Sequence, residues 1–351
     1  MAGSASIAIE VGRLRRRLGR RSGLAVAGLA AALLAVLALG LTSGDYPVTA
    51  SEVAAALLSP LSGAALPGID FIVLEVRLPR AALALLAGAA FGLSGAIFQA
   101  LLRNPLASPD IVGIAQGAST AAVFCIVVLG WSGLALAGGA LGGAVLTAAA
   151  IHVLAWREGL SPYRVVLVGI ALAAMLSAAT SYLLTRARLQ DVQEALGWLV
   201  GSLNATSGGE IATLLAAMAL LVPTALILAR GLAPLQLGDD AARAVGARVT
   251  VTRSGLLGCA VALSAFATAA VGPVAFVAFV SGPIARRLAG TGRLELLPSM
   301  LVGALVLTGA DVVAQHALPG ADLPAGVVTG LFGGAFLLLL LGRVGRAGQV
   351  D

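Results

Sequence analysis

The side chains that could do chemistry are few in this sequence, and their spacing forms no catalytic or metal site. All 22 basic residues are arginine, so there is no lysine for a phosphate-binding loop or a Schiff base. Cys125 and Cys259 lie in apolar runs, which predicts neither a disulfide framework nor a zinc site. His152 and His316 have no cysteine or histidine neighbour at the spacing of metal ligands. We therefore expect a chain that is not an enzyme and has no ATPase site, metal or cofactor of its own.

Asp311 is the one acid that lies well within an apolar segment. Carriers driven by protons or sodium usually need a buried carboxylate near the middle of the membrane, and Asp311 is predicted to lie towards the outer end of its segment. The sequence also lacks the H-E-x-x-H motif and any Ser/His/Asp constellation of an intramembrane enzyme. An ion-coupled secondary transporter is therefore a less favoured alternative.

The elements that must position these residues are membrane-spanning helices. Of the 351 residues, 59% are apolar and only 11% are charged, against about 25% charged residues in a soluble domain. The mean hydropathy is +1.02. A chain of this composition would expose a very large apolar surface in water, so we predict an all-α integral membrane protein.

The apolar segments between charges predict ten spans, each near the roughly 20 residues that cross a bilayer. They are residues 24–42, 79–102, 111–130, 134–156, 164–185, 211–229, 251–270, 273–288, 296–315 and 323–342. The seventh and eighth share an uncharged stretch, in which Gly272-Pro273 predicts a tight turn between two helices. The alternative is one span followed by a re-entrant segment.

The distribution of arginine supports an even number of spans. With both termini cytoplasmic, 18 of the 22 arginines fall inside and four, Arg77, Arg80, Arg186 and Arg188, fall outside. The net charge of +6 then reflects membrane topology, and we expect no nucleic-acid partner. We predict a multi-pass protein of the cytoplasmic (inner) membrane, and arginine in place of every lysine, with so much alanine and glycine, suggests a GC-rich bacterial genome.

The domain organisation follows from the spans. We expect a basic cytoplasmic tail at residues 1–23, a ten-helix membrane domain at 24–342 with a cytoplasmic loop at 230–253, and a cytoplasmic tail at 343–351. The apolar run at 23–41 resembles a signal peptide, but its length and the lack of an A-x-A site favour a retained first span.

The extramembrane segments are small. Thr49 to Leu58 has the spacing of a short surface helix, and Asp191 to Leu203 is amphipathic. Neither is large enough for a soluble domain, so any motor or ligand-capture domain is expected to be a separate chain.

Glycines occur in the predicted spans at spacings that allow helices to approach closely. Examples are Gly88, Gly92, Gly95, Gly138, Gly139, Gly142 and Gly143. This pattern predicts a compact helix bundle and gives no information about a substrate.

Three polar segments interrupt the apolar background. Residues 103–110 form a proline-braced inner loop. Residues 238–246 predict a short helix with acids in its first turn and a closing glycine, and a short rigid helix exposed on the inner face suits a docking element. Residues 77–80 place two arginines at an outer helix end, where topology normally depletes them.

Several runs closely resemble the FecCD permease family, the membrane permeases of ABC importers for iron–siderophore complexes, haem and cobalamin. The resemblance is carried by RLPRAALALLAGAAFGLSGAIFQALLRNPLASPDIVGIAQGAS (77–119), GDDAARAVGARV (238–249), GPVAFVAFVSGPIARRLAG (272–290) and ADVVAQHALPGADLPAGVVTGLFGGAF (310–336). It covers almost the whole chain after about residue 24, in the order and spacing of the family.

The resemblance implies a ten-helix subunit in a five-plus-five arrangement. It further implies that two permease subunits form a dimer around a translocation path, that two ATP-binding cassette subunits dock below it, and that an extracytoplasmic binding protein delivers the substrate. Whether the dimer is a homodimer or a heterodimer stays open.

The resemblance also implies roles for particular residues. The ATPase-coupling segment corresponds to Asp239, Asp240, Ala242, Arg243 and Gly246. Binding-protein docking corresponds to Arg77, Arg80 and Gln315, and the cytoplasmic gate to Asn104, Leu106, Ser161 and Pro162. Two positions depart from the family pattern, because Gln315 replaces an arginine and Ile284 replaces a histidine.

We therefore expect the transmembrane permease subunit of a binding-protein-dependent ABC importer that carries an iron–siderophore complex, with ATP used only by partner subunits. The alternatives are a haem or cobalamin importer, an ion-coupled transporter, and a purely structural or assembly subunit.

Overall fold

The computed structural model describes residues 2–44, 46–62, 67–156, 162–204, 206–235, 238–290, 296–318 and 322–347, whose regular structure is helical. In chain order the α-helices are α1 (Ala2–Thr42), α2 (Ala50–Ser62), α3 (Pro67–Asp70), α4 (Leu78–Leu102), α5 (Ile114–Phe124), α6 (Gly133–Ala155), α7 (Pro162–Arg186), α8 (Leu189–Val200), α9 (Gly208–Leu228), α10 (Leu232–Leu235), α11 (Asp239–Ala244), α12 (Val249–Val271), α13 (Val277–Ala289), α14 (Leu296–His316) and α15 (Ala325–Ala347). A π-helix, Phe71–Arg77, joins α3 to α4, a second, Cys125–Leu129, extends α5, and a 3₁₀ turn, Ala229–Gly231, joins α9 to α10. Residues 2–23 of the predicted basic tail form the first half of α1, and α2 and α8 overlap the two predicted surface segments, 49–58 and 191–203.

Seven helices in the described part of the chain are long and apolar enough to cross a membrane: Gly19–Thr42, Pro67–Leu102, Gly133–Ala155, Tyr163–Arg186, Gly208–Leu235, Val249–Val271 and Leu296–His316. Ile114–Leu129 and Ala325–Leu340 are shorter apolar helices. Each of the ten predicted spans overlaps a helix, but the eighth corresponds to α13, which has only 13 residues. The helices make this a multi-pass membrane protein, and the count of ten stays a prediction.

α13 is short because the chain before it is not helical. α12 ends at Val271, and helix resumes only at Val277. Gly272 has a φ of +74° and a ψ of −180°, and Phe276 has a φ of +69° and a ψ of −21°, so both ends of this break have a positive φ and Phe276 adopts the left-handed conformation. The break lies at the Gly272-Pro273 turn signal of the sequence.

The centre of the bundle is α4, which packs against α12, α13 and α14. Its aromatic side chains Phe91 and Phe98 are fully buried. On another face Gly88 and Gly92 lie directly against Gly303 of α14, so these two helices approach until their backbones touch.

Contacts at the last turns of α13 and α12 define the two ends of the bundle. At one end, which we call the α11 end, Arg21 of α1 donates hydrogen bonds to the carbonyl oxygens of Arg287 and Leu288 at the end of α13, each at 3.4 Å. At the opposite end, the α8 end, the amide of Ser202 donates to the carbonyl oxygen of Val271 at 3.0 Å, and the amide of Gly326 to that of Gly201 at 3.2 Å.

Candidate functional site

The predicted coupling residues form α11 and the turn that follows it. Ala242 is completely buried, whereas Val245 is exposed. A 2.9 Å ion pair joins the Arg243 guanidinium to Oδ1 of Asp240 one turn earlier. Gly246, with a φ of +80°, closes the turn. The segment is therefore a short braced helix that presents polar groups at the α11 end. Asp239 begins the helix, and its side chain lies outside the described residues.

The predicted gate residues Asn104 and Leu106 lie in the connection between α4 and α5, which we call the gate segment (residues 103–113). The Asn104 side-chain oxygen accepts a hydrogen bond from the amide of Leu106 at 2.9 Å. The Asn104 carbonyl oxygen accepts one from the amide of Ala107 at 3.1 Å. Ala107 and Ser108 are buried, so the segment is an ordered turn.

The second half of the predicted gate is only partly described. Pro162 begins α7, and its side chain lies outside the described residues, as does the whole of Ser161. The described far end of the gate segment does reach α7, because the carbonyl oxygen of Val112 lies so close to Gly169 that a Cβ atom there would be 2.5 Å away.

Asp110 lies in the gate segment and was not among the predicted site residues. Its side chain is partly buried, and this desolvation raises the pKa of its carboxyl group from 3.8 to about 7. The sequence signal that could have singled it out is an acid between Pro109 and the apolar run that becomes α5.

The raised pKa of Asp110 predicts a pH dependence of stability. The folded state retains this proton up to about pH 7, whereas the unfolded chain releases it near pH 4. Stability contributed by this group is therefore lost as the pH rises from about 4 to about 7.

In thermal unfolding in detergent, Asp110→Asn should match the wild type at pH 5 more closely than at pH 8, where it should be the more stable protein. The exposed acid Glu194 supplies the control, and an equal pH dependence of Asp110→Asn and Glu194→Gln would contradict the prediction.

Arg80, Asp311 and Gln315 form one polar cluster at the α8 end. The Nε of Arg80 lies 3.0 and 3.1 Å from the two Asp311 oxygens, and one of its terminal nitrogens lies 2.8 Å from Oδ1. The Gln315 amide donates to Oδ2 of Asp311 at 2.8 Å. The side chains of Arg80 and Asp311 are only 15% and 4% exposed, so this is a largely buried, bidentate ion pair. The exposed Asp322 lies 3.9 Å from the other terminal nitrogen of Arg80.

Arg77 makes separate contacts. Its guanidinium donates to the carbonyl oxygen of Leu41 at 2.8 Å and to that of Tyr46 at 2.5 Å, and so it holds the end of α1 and the following turn. Arg80 and Gln315 thus both bind Asp311, whereas Arg77 binds backbone carbonyl oxygens near the end of α1. Their role in binding-protein docking stays a prediction.

The cluster also bears on the ion-coupled alternative. Both oxygens of Asp311 are already engaged by Arg80 and Gln315. A carboxylate held in this way neutralises an arginine of its own chain. This structural role argues against Asp311 as the binding site of a transported cation.

Gln99 and Arg286 form a second buried polar contact that sequence reasoning missed. Oε1 of Gln99 accepts from the Arg286 guanidinium at 2.9 Å, and Nε2 donates to the carbonyl oxygen of Phe279 at 2.9 Å. Gly282 leaves the room for this amide, because a Cβ there would lie 2.2 Å from Oε1. The available signal was a glutamine near the end of an otherwise apolar span.

Ile284, which replaces the family's histidine, packs in an apolar cluster. Its neighbours are Leu29 of α1, Ala285 of α13 and Val302 of α14. The position therefore contributes to helix packing at the junction of α1, α13 and α14.

Comparisons with known proteins agree with this architecture. The ferric enterobactin transport system permease protein FepG of Escherichia coli K12 is 41% identical over 302 residues, covering 86% of this chain and 90% of FepG. The achromobactin transport system permease protein CbrC of Dickeya dadantii is 40% identical and covers 88% of each chain. The Fe(3+)-citrate import system permease protein YfmE of Bacillus subtilis is 36% identical, covering 88% of this chain and 95% of YfmE.

The fold is also found among solved structures. A metal-chelate type ABC transporter in an inward-facing conformation superposes with a TM-score of 0.79 at 25% identity, covering 92% of this chain and 99% of that one. Residues 32–343 match the sequence model of the FecCD transport family. The chain therefore belongs to the FecCD transport family.

Proposed function

We propose that this chain is the membrane permease subunit of a binding-protein-dependent ABC importer that moves a ferric siderophore complex into a bacterial cell. The observation that carries the proposal is the similarity, at 36–41% identity over most of the chain, to permeases named for ferric enterobactin, achromobactin and ferric citrate. The absence of lysine from the sequence supports a separate motor, because a phosphate-binding loop needs that residue.

The proposed topology has ten spans with both termini in the cytoplasm. The α11 end is then cytoplasmic, which agrees with the arginine count. α13 and the break at 272–276 together form the eighth crossing. A non-helical break at membrane depth is tolerated where protein or a water-filled path surrounds it, as expected near a translocation path.

We assign the ATPase subunits and the binding protein to opposite ends of the bundle. Each permease subunit binds one ATPase subunit through α11, with Asp240, Arg243 and Gly246 on the exposed side, the buried Ala242 holding the helix against the bundle and Asp239 at its start. A second permease subunit completes the path. The binding protein docks at the α8 end, near Arg77, Arg80 and Gln315. Because Arg80 is held by Asp311, we expect it to shape this surface as well as to present charge.

The proposed mechanism is a shift between outward-open and inward-open arrangements of the two five-helix halves. ATP binding brings the motor subunits together, and α11 transmits that movement to the gate segment. Affinity for the cargo resides in the binding protein, so the permease needs only a wide and largely apolar passage. The scarcity of charge in the spans supports this division of labour.

Uptake of labelled iron by a deletion strain and its complemented parent tests the function. Iron is supplied as ferric enterobactin, ferric citrate, a ferric hydroxamate and haem, with labelled cobalamin in parallel. We expect the deletion to abolish uptake of one ferric siderophore and the intact gene to restore it, because the relatives carry such chelates.

An inactive motor subunit supplies the matched control and should abolish the restored uptake. A defect confined to haem or cobalamin would replace the siderophore assignment. Uptake that survives an inactive motor subunit but is lost in Asp311→Asn, with normal amounts of protein in the membrane, would favour an ion-coupled transporter.

A further inference from the structure

Arg103 ends α4 in a backbone conformation that arginine rarely adopts. Its φ is +49° and its ψ +34°, in the left-handed region. The amide of Arg103 bonds the carbonyl oxygen of Ala100, and the amide of Asn104 bonds that of Gln99. This pair of hydrogen bonds is the helix-terminating motif in which glycine is the usual residue. The backbone therefore favours glycine at position 103, and the arginine side chain needs a separate explanation.

The side chain of Arg103 reaches the segment that carries α11. One terminal nitrogen of its guanidinium donates a hydrogen bond to the carbonyl oxygen of Leu235, the last residue of α10. Leu235 is buried and lies four positions before Asp239, where α11 begins. The contact joins two chain segments that are 132 residues apart in sequence.

The gate segment beyond Arg103 is braced along its length. Asn104 accepts hydrogen bonds from the amides of Leu106 and Ala107. At the far end the amide of Gly113 donates to the carbonyl oxygen of Asp110 at 3.2 Å. Two prolines, at 105 and 109, further restrict the backbone between them.

The far end of the gate segment is wedged against α7. A Cβ atom at Gly169 would lie 2.5 Å from the carbonyl oxygen of Val112, and one at Gly113 would lie 2.9 Å from that of Gly169. Contacts this close transmit a displacement, because neither backbone can yield without moving its helix.

We propose that Arg103 is a positioning residue that couples α11 to the gate, so that movement of α11 is passed through the gate segment to α7. This inference rests on the proposed function, in which a motor subunit moves α11. It explains why a residue disfavoured by the backbone occupies position 103, since glycine would end the helix equally well and would make no contact with Leu235.

A second physical route leads from the same segment to α12. A Cβ atom at Gly231, just before α10, would lie 2.8 Å from Oγ1 of Thr252. Movement of α11 could therefore reach the bundle without Arg103, and an experiment has to separate the two routes.

Arg103→Gly tests the proposal without disturbing the fold, because glycine suits the left-handed position. We expect the variant to reach the membrane in normal amount and its co-purified motor complex to hydrolyse ATP at the wild-type rate. Iron uptake per ATP hydrolysed should fall by about tenfold. The probes are ferric enterobactin, ferric citrate and a ferric hydroxamate, each with labelled iron. Arg103→Lys, which keeps a charged donor, should retain more uptake than Arg103→Gly.

A distance measurement gives a readout that a merely structural role would not change. With Cys125 and Cys259 replaced by alanine, a pair of spin labels at positions 106 and 189 of one chain reports the distance from the gate segment to the exposed start of α8, whichever subunit completes the dimer. Trapping the motor with ATP and vanadate should change this distance in the parent protein and not in Arg103→Gly.

The outcomes separate the two hypotheses. If the parent protein imports iron without an active motor, the proposed function is wrong. If its uptake needs the motor, but Arg103→Gly transports the same amount of iron per ATP and its gate distance responds to trapping, the coupling role of Arg103 alone is wrong and the route through Thr252 is favoured. A variant that loses ATP hydrolysis and uptake together would also overturn the proposal, because Arg103 would then support the docking site rather than its coupling.

Discussion

Asp311→Ala is expected to lower the free energy of unfolding by about 3 kcal/mol, because the largely buried Arg80 guanidinium then keeps only the Asp322 carboxylate, 3.9 Å away and 57% exposed, as a counter-charge. The guanidinium is 15% exposed and makes its closest contacts, at 2.8 to 3.1 Å, with the carboxylate that is removed. Arg80→Ala should have a similar effect, since it strands the carboxylate instead. The measurement is unfolding of the purified permease by SDS titration from mixed micelles.

The double variant Arg80→Met/Asp311→Leu tests whether the folded protein needs the ion pair itself or only has to avoid an unpaired buried charge. Replacing a buried ion pair by apolar residues of similar volume is often close to neutral, so we expect this variant to recover most of the lost stability. Arg188→Ala is the matched control at the same end, because the Arg188 side chain is 88% exposed and pairs with Asp191 on the surface. Its effect should stay below about 1 kcal/mol. A loss as large as that of Asp311→Ala would contradict the argument from burial.

The double variant also decides how the docking prediction can be tested. Reversal of Arg80 to glutamate would place two carboxylates together and disturb the fold, so a loss of uptake would have two explanations. A folded Arg80→Met/Asp311→Leu protein that no longer imports iron would separate docking from stability. Normal uptake in that variant would leave Arg77 and Gln315 as the remaining docking candidates.

Most of the helices could be predicted from the sequence, because hydrocarbon thickness fixes their length and charge marks their ends. The exception is the stretch between Arg253 and Arg286, where no charge marks a boundary. There the chain forms a full-length α12 and a 13-residue α13. Hydropathy cannot locate the break at 272–276, because its residues are as apolar as their helical neighbours and only Gly272-Pro273 signals it.

The polar contacts could be predicted much less well than the helices. Arg80 and Asp311 are 231 residues apart, and Arg103 and Leu235 are 132 apart. No periodicity within one helix indicates which residues of another helix it will meet. The identity of Leu235 also gives no sign that its carbonyl oxygen accepts this hydrogen bond, since every residue has a carbonyl oxygen. The sequence therefore marked Arg80 and the loop at 103–110 as unusual. Only the folded structure shows that their partners are Asp311 and the carbonyl oxygen of Leu235.

Gly95→Ala is the other change with a large expected effect, a loss of about 3 kcal/mol of stability through overpacking. A Cβ atom at position 95 would lie 1.9 Å from the carbonyl oxygen of Ala278 in α13. Gly92→Ala should behave alike, because its Cβ would lie 2.2 Å from the carbonyl oxygen of Ser299 in α14. In both cases the obstructing atom belongs to a backbone, so relief requires a helix to move.

Gly138→Ala and Gly142→Ala are matched controls, since they make the same chemical change in α6 with nothing within 4 Å of the new methyl group. Alanine forms helix better than glycine by about 1 kcal/mol, so these variants should be as stable as the wild type or slightly more stable in the same SDS titration. The sequence spacing grouped all four glycines as packing positions, and only their surroundings separate them. If Gly95→Ala proved as stable as Gly138→Ala, α4 and α13 could not be in backbone contact. The short α13 would then lack the close backbone packing against α4 that fixes its position next to the break at 272–276.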